Sequence, residues 1–324
     1  DISYEITQDG EVVKKGIVNG ISLKAHETKE FELSLPEMTS GEWHIRFIYT
    51  QKENGAFTQK GHILGFDQIK LKDAEKNEEA NETIVAGGDI SFEDSDRFIT
   101  IKGSDFEYRF DKNTAQFDRL ISKGITYTEL PVAYNIWRAP TDNDRRVRND
   151  WTAAGYDRIV TRAYENVVSK QKGKVIIRSI LSVSAIYLQR ILNIESEWKV
   201  YPDGKIKLLC KVRKTEVMPF LPRFGLRMFL PERFENVEYY GYGPYESYID
   251  KRRASYKGKF KATVDELHED YIRPQENGSH YDCRYVKLTD KDGNGILCTA
   301  ESLSFNASYY TQEELTAKAH NYEL

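Results

Sequence analysis

Short runs in which every second residue is apolar recur along most of this chain: Phe98 to Ile101, Phe106 to Phe110, Val175 to Val183, Ile191 to Val200, Ile206 to Val212 and Val286 to Leu288. Side chains in a strand point alternately to the two faces of a sheet, so a period of two marks a strand with one buried face. The runs are accompanied by 21 tyrosines and 15 phenylalanines, and aromatic rings suit a pleated, half-buried surface. These observations predict an all-β chain. Helical signals are few. Thr311 followed by Glu314 is a capping box opening Gln312 to His320, and Asn149 to Ala154 has room for one or two turns.

The 324 residues divide unevenly. In the first segment, Ser3 to Thr7 and Glu11 to Lys15 flank Asp9-Gly10, a pair that accepts the positive φ of a two-residue hairpin turn. Further runs at Phe31 to Leu35, Trp43 to Thr50 and Gly61 to Leu71 bring the expectation to about five strands in residues 1–71. That is the size of an immunoglobulin-like β-sandwich, although the Cys…Trp…Cys signature is missing. Residues 72–83 read KDAEKNEEANET, with seven charged residues in twelve and no apolar side chain larger than Ala. Such a stretch has nothing to bury and reads as a linker. Residues 84–324 carry the longer strands and are expected to form one large sandwich.

Composition excludes several classes of function. With 47 Lys and Arg against 51 Asp and Glu, net charge is −4 and the signs are interspersed. No field is present to hold nucleic acid or an anionic membrane. The apolar runs fall far short of the ~20 residues that span a bilayer. The chain opens at Asp1 inside a strand-like run rather than at Met, as a segment of a longer polypeptide would. Cys210, Cys283 and Cys298 are odd in number and lack C-x-x-C spacing, which argues against a disulfide framework or a zinc site. The six histidines include no pair at helical i,i+4 spacing, and no G-x-S-x-G, H-E-x-x-H or phosphate-binding loop occurs. Metal-centred chemistry is therefore not expected of this chain.

Three polar clusters remain. Arg138-Ala-Pro-Thr-Asp142-Asn143-Asp144 reads either as a loop presenting carboxylates to a polyhydroxylated ligand, or as Asx turns with Arg138 paired to a carboxylate. Beyond it, Arg145, Arg146 and Arg148 predict a mobile middle, and Trp151 an anchor set either in the core or at an interface. The second cluster, from Tyr240 through Gly243, Pro244, Glu246, Tyr248 and Asp250 to Arg252, suits a sugar, whose C–H faces stack on rings, but equally suits a tight bend with tyrosines in the core. The third, Arg273-Pro274-Gln275-Glu276-Asn277-Gly278, reads as a turn. A glycosidase needs two carboxylates. Asp142 with Asp144, or Glu246 with Asp250, are the nominees, and neither spacing fixes a separation.

In order along the chain these clusters resemble the C-terminal portion of the large bacterial retaining β-galactosidases. The resemblance runs through Arg138-Ala-Pro-x-Asp142-Asn143-Asp144, Trp151-x-x-Ala-Gly155-Tyr156, Arg223-x-Gly225 and Tyr240-x-Tyr242-Gly243-Pro244-x-Glu246-x-Tyr248-x-Asp250. It continues in Pro274-x-Glu276-Asn277-Gly278, Phe305-x-x-Ser308-x-Tyr310 and His320-x-x-Glu323-Leu324, with a weaker trace from Gly61-His62-Ile63 to Gln68. It implies a small immunoglobulin-like domain followed by a galactose-mutarotase-like β-supersandwich, the small chain of those enzymes. It also implies that the catalytic glutamates and the divalent metal belong to an absent TIM barrel, so that this chain holds no cofactor and no catalytic residue and is inactive alone. Arg138, Asp142, Asn143, Asp144 and Trp151 would then edge the sugar site or meet the barrel, with Asp144 mattering more to turnover than to stability. Gly243, Pro244, Glu246, Tyr248, Asp250, Pro274, Glu276, Asn277 and Gly278 would shape the fold. The implied partners are the barrel, a galactoside and further copies in a homo-oligomer; the sequence does not give the compartment, and the cytoplasm is favoured only as the usual place of a bacterial enzyme of this kind.

Three features depart from the family. Lys251 stands where an Arg is usual, the loop after Asp144 is short, and the chain stops before the family's Gly/Asp-rich tail. Lys lacks the bidentate fork of Arg, which leaves its carboxylate pairing open. Two other functions compete: an independent carbohydrate-binding module, and an aldose 1-epimerase, which needs an acid and a base at one sugar carbon. For the latter the large segment offers only His268, His280 and His320.

Overall fold

The computed structural model describes residues 1–75 and 88–324. Of the expected linker, only residues 72–75 fall within them. All sheets among the described residues are antiparallel, as the period-two patterning requires.

The first segment forms a four-stranded sheet in the order β2-β1-β3-β4, from β1 (Ile2–Gln8), β2 (Glu11–Ile17), β3 (Trp43–Thr50) and β4 (Ile63–Lys72). Asp9 and Gly10 both take positive φ, 48° and 81°, as a hairpin turn with the right-handed twist demands. Phe31 to Leu35, expected as a fifth strand, carries no strand. Val18, Leu33 and Met38 from this irregular stretch pack directly on the sheet residues Tyr4, Ile6, Trp43 and Ile45. Burial of alternate side chains is thus achieved without a ladder.

The second segment begins with a five-stranded sheet of β5 (Ser91–Asp94), β6 (Phe98–Lys102), β7 (Phe106–Asp111), β8 (Gln116–Ser122) and β9 (Ile125–Thr126), paired in sequence order. After β10 (Leu130–Asn135) and a helical turn α1 (Arg148–Ala153), four long strands form a meander: β11 (Ile159–Gln171), β12 (Lys174–Ala185), β13 (Arg190–Val200) and β14 (Ile206–Lys214). β15 (Gly225–Phe229) returns to pair with β10. One apolar core joins these sheets, with Phe117 set edge-on against Phe110 and Trp198 at centroid distances of 5.3 and 5.2 Å.

A last sheet, β17-β16-β18-β19, is built from β16 (Asn236–Gly243), β17 (Tyr256–Thr263), β18 (His280–Thr289) and β19 (Gly295–Phe305), around a separate core of Val237, Tyr239, Val264, Leu267, Cys283 and Val286. The helix α2 spans Gln312–Ala317. It opens on the expected capping box, in which Thr311 Oγ1 accepts from Glu314 N, and it stops before His320.

The first segment docks on this last sheet through polar groups. Gln68 bonds both backbone groups of Lys257, accepting from its N at 2.7 Å and donating to its O at 2.8 Å, as a neighbouring strand would. Glu42, 1 % exposed, accepts from Tyr240 Oη at 2.7 Å and from Arg284 Nη2 at 2.9 Å. The Arg46 guanidinium lies 3.6 Å from the centre of the Tyr256 ring. Gly10 is required twice over, because a Cβ there would stand 2.9 Å from both Lys259 N and the Tyr240 ring.

Candidate functional site

The first and third polar clusters, separated by more than a hundred residues of sequence, meet. Pro140 follows the end of β10 and fixes the chain's exit. Thr141 then starts a 3-10 turn over Asp142–Asp144. Asp144 is buried and takes two bonds from Arg138, Nε to Oδ2 at 3.0 Å and Nη2 to Oδ1 at 2.6 Å, together with one from Thr141 N at 3.0 Å. A bidentate Arg–carboxylate pair fixes orientation as well as charge. The backbone of the third cluster is stapled to this loop where Glu276 N donates to Ala139 O at 3.0 Å. Asp142 and Asn143 are left exposed at the turn's outer edge.

The loop therefore combines its two readings. Arg138 does pair a carboxylate, and that carboxylate is Asp144, whose bonds tie the turn to Arg138 and Thr141. Asp142 and Asp144 do not form an open acid–base pair, because one is exposed and the other is saturated with donors. The segment after Asp144 is also more regular than expected: Val147 packs against the main core and α1 begins at Arg148. Trp151 is completely buried, its Nε1 donating to Phe220 O at 3.0 Å and its ring set edge-on to Trp137. Of its two anchor positions it occupies the core. Next to it, Gly155 adopts φ 77°, and a Cβ would fall 2.4 Å from Ala185 Cβ.

The third cluster is more than a turn. Glu276, 5 % exposed, accepts from Arg223 Nη2 at 2.5 Å and from Asn306 Nδ2 at 3.0 Å, so residues from three separate sequence motifs share one carboxylate. Burial pushes the Glu276 carboxyl up, with Arg223, Asn306 and Arg138 pulling the other way. Asn277 accepts from Glu269 N at 3.2 Å and donates to Gln275 O at 2.9 Å. Pro274 is buried. Gly278 takes φ 67°, where a Cβ would press to 2.4 Å from Leu267 O.

The second cluster joins the third through Glu246, which accepts from Gly278 N at 3.0 Å and also from the Lys251 ammonium and the Tyr271 hydroxyl. The Lys standing in place of Arg thus makes its carboxylate pair, with Tyr271 Oη at 2.7 Å supplying a further partner. The ammonium is held charged well above its ordinary range: burial opposes this, but the bonds to Glu246 and Tyr271 outweigh it. Gly243-Pro244 is a cis peptide. Tyr248 lies with its hydroxyl buried, and burial raises its pKa. Asp250 is exposed and lines a shallow cleft with Glu246. Glu246 is already engaged, so these two do not act as a free pair either. Among the described residues no group of three or more His, Cys, Asp or Glu is arranged to hold a metal ion.

The sequence reading missed Glu42, Lys257 and Arg284. Lys257 is 2 % exposed, with its Nζ on Asp282 Oδ2 at 2.7 Å. A charged residue at an inward position of a strand was the available signal. It went unread because the glycines and tyrosines around it dominated.

The geometry thus defines an all-β chain whose polar motifs lock loops together and leave one narrow exposed rim. Comparison with known proteins gives the family. Residues 102–324 match the model of the β-galactosidase small chain, and residues 1–72 match that of β-galactosidase domain 4. The chain belongs to the β-galactosidase small-chain family. It is 38 % identical to the β-galactosidase of Actinobacillus pleuropneumoniae over all of its own length and 32 % of that protein's. With the β-galactosidase of Staphylococcus xylosus it shares 32 % identity over 84 % of this chain and 27 % of the relative. With that of Priestia megaterium it shares 27 % over 100 % and 31 %. The chain spans about 30 % of the length of these relatives.

Proposed function

We propose that this chain is the C-terminal, non-catalytic portion of a β-galactosidase, which hydrolyses terminal β-D-galactosides on a TIM barrel carried elsewhere in the polypeptide. The chain's part is to buttress that barrel and to lend the Asp142–Asn143 rim to the sugar site. The observation that carries this reading is the lock beneath the rim: Arg138, Asp144 and the Glu276 staple fix the backbone that presents two short polar side chains to the outside. Fixed acceptors and donors of that kind suit sugar hydroxyls. The nucleophilic and acid/base glutamates, with the divalent metal, are assigned to the barrel, because each buried carboxylate of the three clusters is already committed to cations and amides.

The test is complementation. Mixed with the separately produced catalytic portion, the chain should restore turnover of a chromogenic galactoside, and alone it should give none. Turnover by the purified chain alone, or complementation indifferent to Asn143→Ala, would overturn the reading. An aldose 1-epimerase finds less support here. His280 is 1 % exposed with Nδ1 on Tyr242 O at 3.1 Å, out of reach of a sugar.

A further inference from the structure

Beside the rim lies a cleft of about 340 Å³ lined by Pro140, Thr141, Asp142, Arg145, Arg148, Arg273 and Gln275. It sits on the seam between the first and third clusters, where Glu276 N is stapled to Ala139 O. Its walls are therefore held by the Arg138–Asp144 pair on one side and the Glu276 network on the other. The lining contains three arginines and one aspartate, which leaves two positive charges uncompensated within it. Among the described residues, no carboxylate makes an ion pair with Arg145, Arg148 or Arg273. Exposed arginines elsewhere among the described residues divide, Arg97, Arg158 and Arg178 pairing with a carboxylate and Arg119 and Arg162 not, and what sets Arg145, Arg148 and Arg273 apart is that all three line one cleft. Two unmatched charges balance one dianion, and the planar forks of Arg match the oxygens of phosphate or sulfate.

We propose that the Arg145–Arg148–Arg273 cleft is an anion site that takes a phosphate- or sulfate-type oxyanion, with Thr141 and Gln275 as polar lining. The cleft shares Asp142 with the rim proposed above for the sugar site, and its three arginines carry the anion proposal. The same oxyanion chemistry is available from a free inorganic anion or from an acid ester on a saccharide.

Calorimetric titration of the chain with inorganic phosphate at low ionic strength tests the site. Saturable binding is expected, weakened about tenfold or more by Arg148→Gln and by Arg273→Gln, since each removes a charge-assisted contact. Arg146→Gln, which changes an exposed neighbour outside the lining, should leave binding within about twofold. All three arginines are exposed, so the variants should melt as the parent does. Galactose 6-phosphate separates the sources. Binding tighter than phosphate places the anion on a saccharide, equal binding assigns a free oxyanion, and both uphold the site. No saturable heat with phosphate overturns the proposal, as does equal weakening by Arg146→Gln, which would show a diffuse field. If phosphate fails while Arg273→Gln impairs complementation, the cations serve an interdomain contact and this proposal falls while the galactosidase reading stands.

Discussion

Replacing Glu42 by Ala should uncouple the first segment from the last sheet. The carboxylate is 1 % exposed and holds Tyr240 Oη and Arg284 Nη2 at 2.7 and 2.9 Å, with Lys70 Nζ at 3.9 Å. Its loss leaves the Tyr240 hydroxyl, on a residue 3 % exposed, without its acceptor, at a cost of about 1–3 kcal/mol. Breaking a buried ion pair costs about 3–5 kcal/mol. Here the cost falls at or below the low end, because the Arg284 side chain is 27 % exposed and keeps Asp282 at 3.7 Å. These terms overlap, and together they predict a loss of about 3 kcal/mol. Urea unfolding at pH 7 should show the first segment releasing early in Glu42→Ala. A double-mutant cycle with Arg284→Met should return a coupling above about 1 kcal/mol. The pH dependence adds a signature. Burial raises the Glu42 carboxyl, but the Arg284 and Tyr240 hydrogen bonds and the charges of Lys257 and Arg284 outweigh it, leaving its pKa below the ordinary 4.5. A depressed carboxylate contributes stability that is present above its unfolded pKa and lost as pH falls through the folded value. That acid limb should be missing from the variant. A loss under about 1 kcal/mol with zero coupling would refute the argument that this carboxylate ties the two segments.

Other expectations follow from the same geometry. His280 is buried among Tyr239 and Phe305, and burial lowers its pKa from 6.5 to about 4, with the Tyr242 carbonyl and Glu246 opposing. A depressed base gives stability that is complete above 6.5 and lost as pH falls toward 4, up to about 3 kcal/mol at 1.36 kcal/mol per unit. His280→Phe should flatten the stability profile between those values, as read by thermal melts across pH. Gly278→Ala combines positive φ with a Cβ 2.4 Å from Leu267 O and should cost more than about 1 kcal/mol in chemical denaturation. Asp144→Ala orphans Arg138 and should cost about 3 kcal/mol. Complemented turnover should fall in step with that loss, whereas Asn143→Ala should lower turnover with the melt unchanged.

Period two carried the fold because it reports one physical demand, a buried face, and β6, β7, β12, β13 and β14 meet it with side chains that alternate over much of their length between more and less buried positions. The same rule misplaced a strand at Phe31 to Leu35, because a chain lying across a sheet buries Leu33 as a ladder partner would, without the ladder. Local chemistry was legible where partners are close in sequence: the Asp9-Gly10 turn, the Thr311–Glu314 box and the Arg138–Asp144 pair each span a few residues. The network on Glu276 was not legible, since Arg223 and Asn306 arrive from 53 and 30 residues away and the local pattern showed only a turn. The interdomain lock is harder still, with Glu42 and Arg284 separated by 242 residues. These distant pairings decide the function of each cluster. Asp144 and Glu246 look like catalytic candidates in sequence because carboxylates beside glycine and aromatics suit sugar chemistry, whereas Glu276 looks like part of a turn. In the fold Asp144 and Glu246 accept on both carboxylate oxygens, and Glu276 holds Arg223 and Asn306 on one, so each ties separate stretches of chain together. What they leave exposed along one seam is Asp142, Asn143 and three arginines without an ion pair among the described residues, the surface on which both proposals above rest.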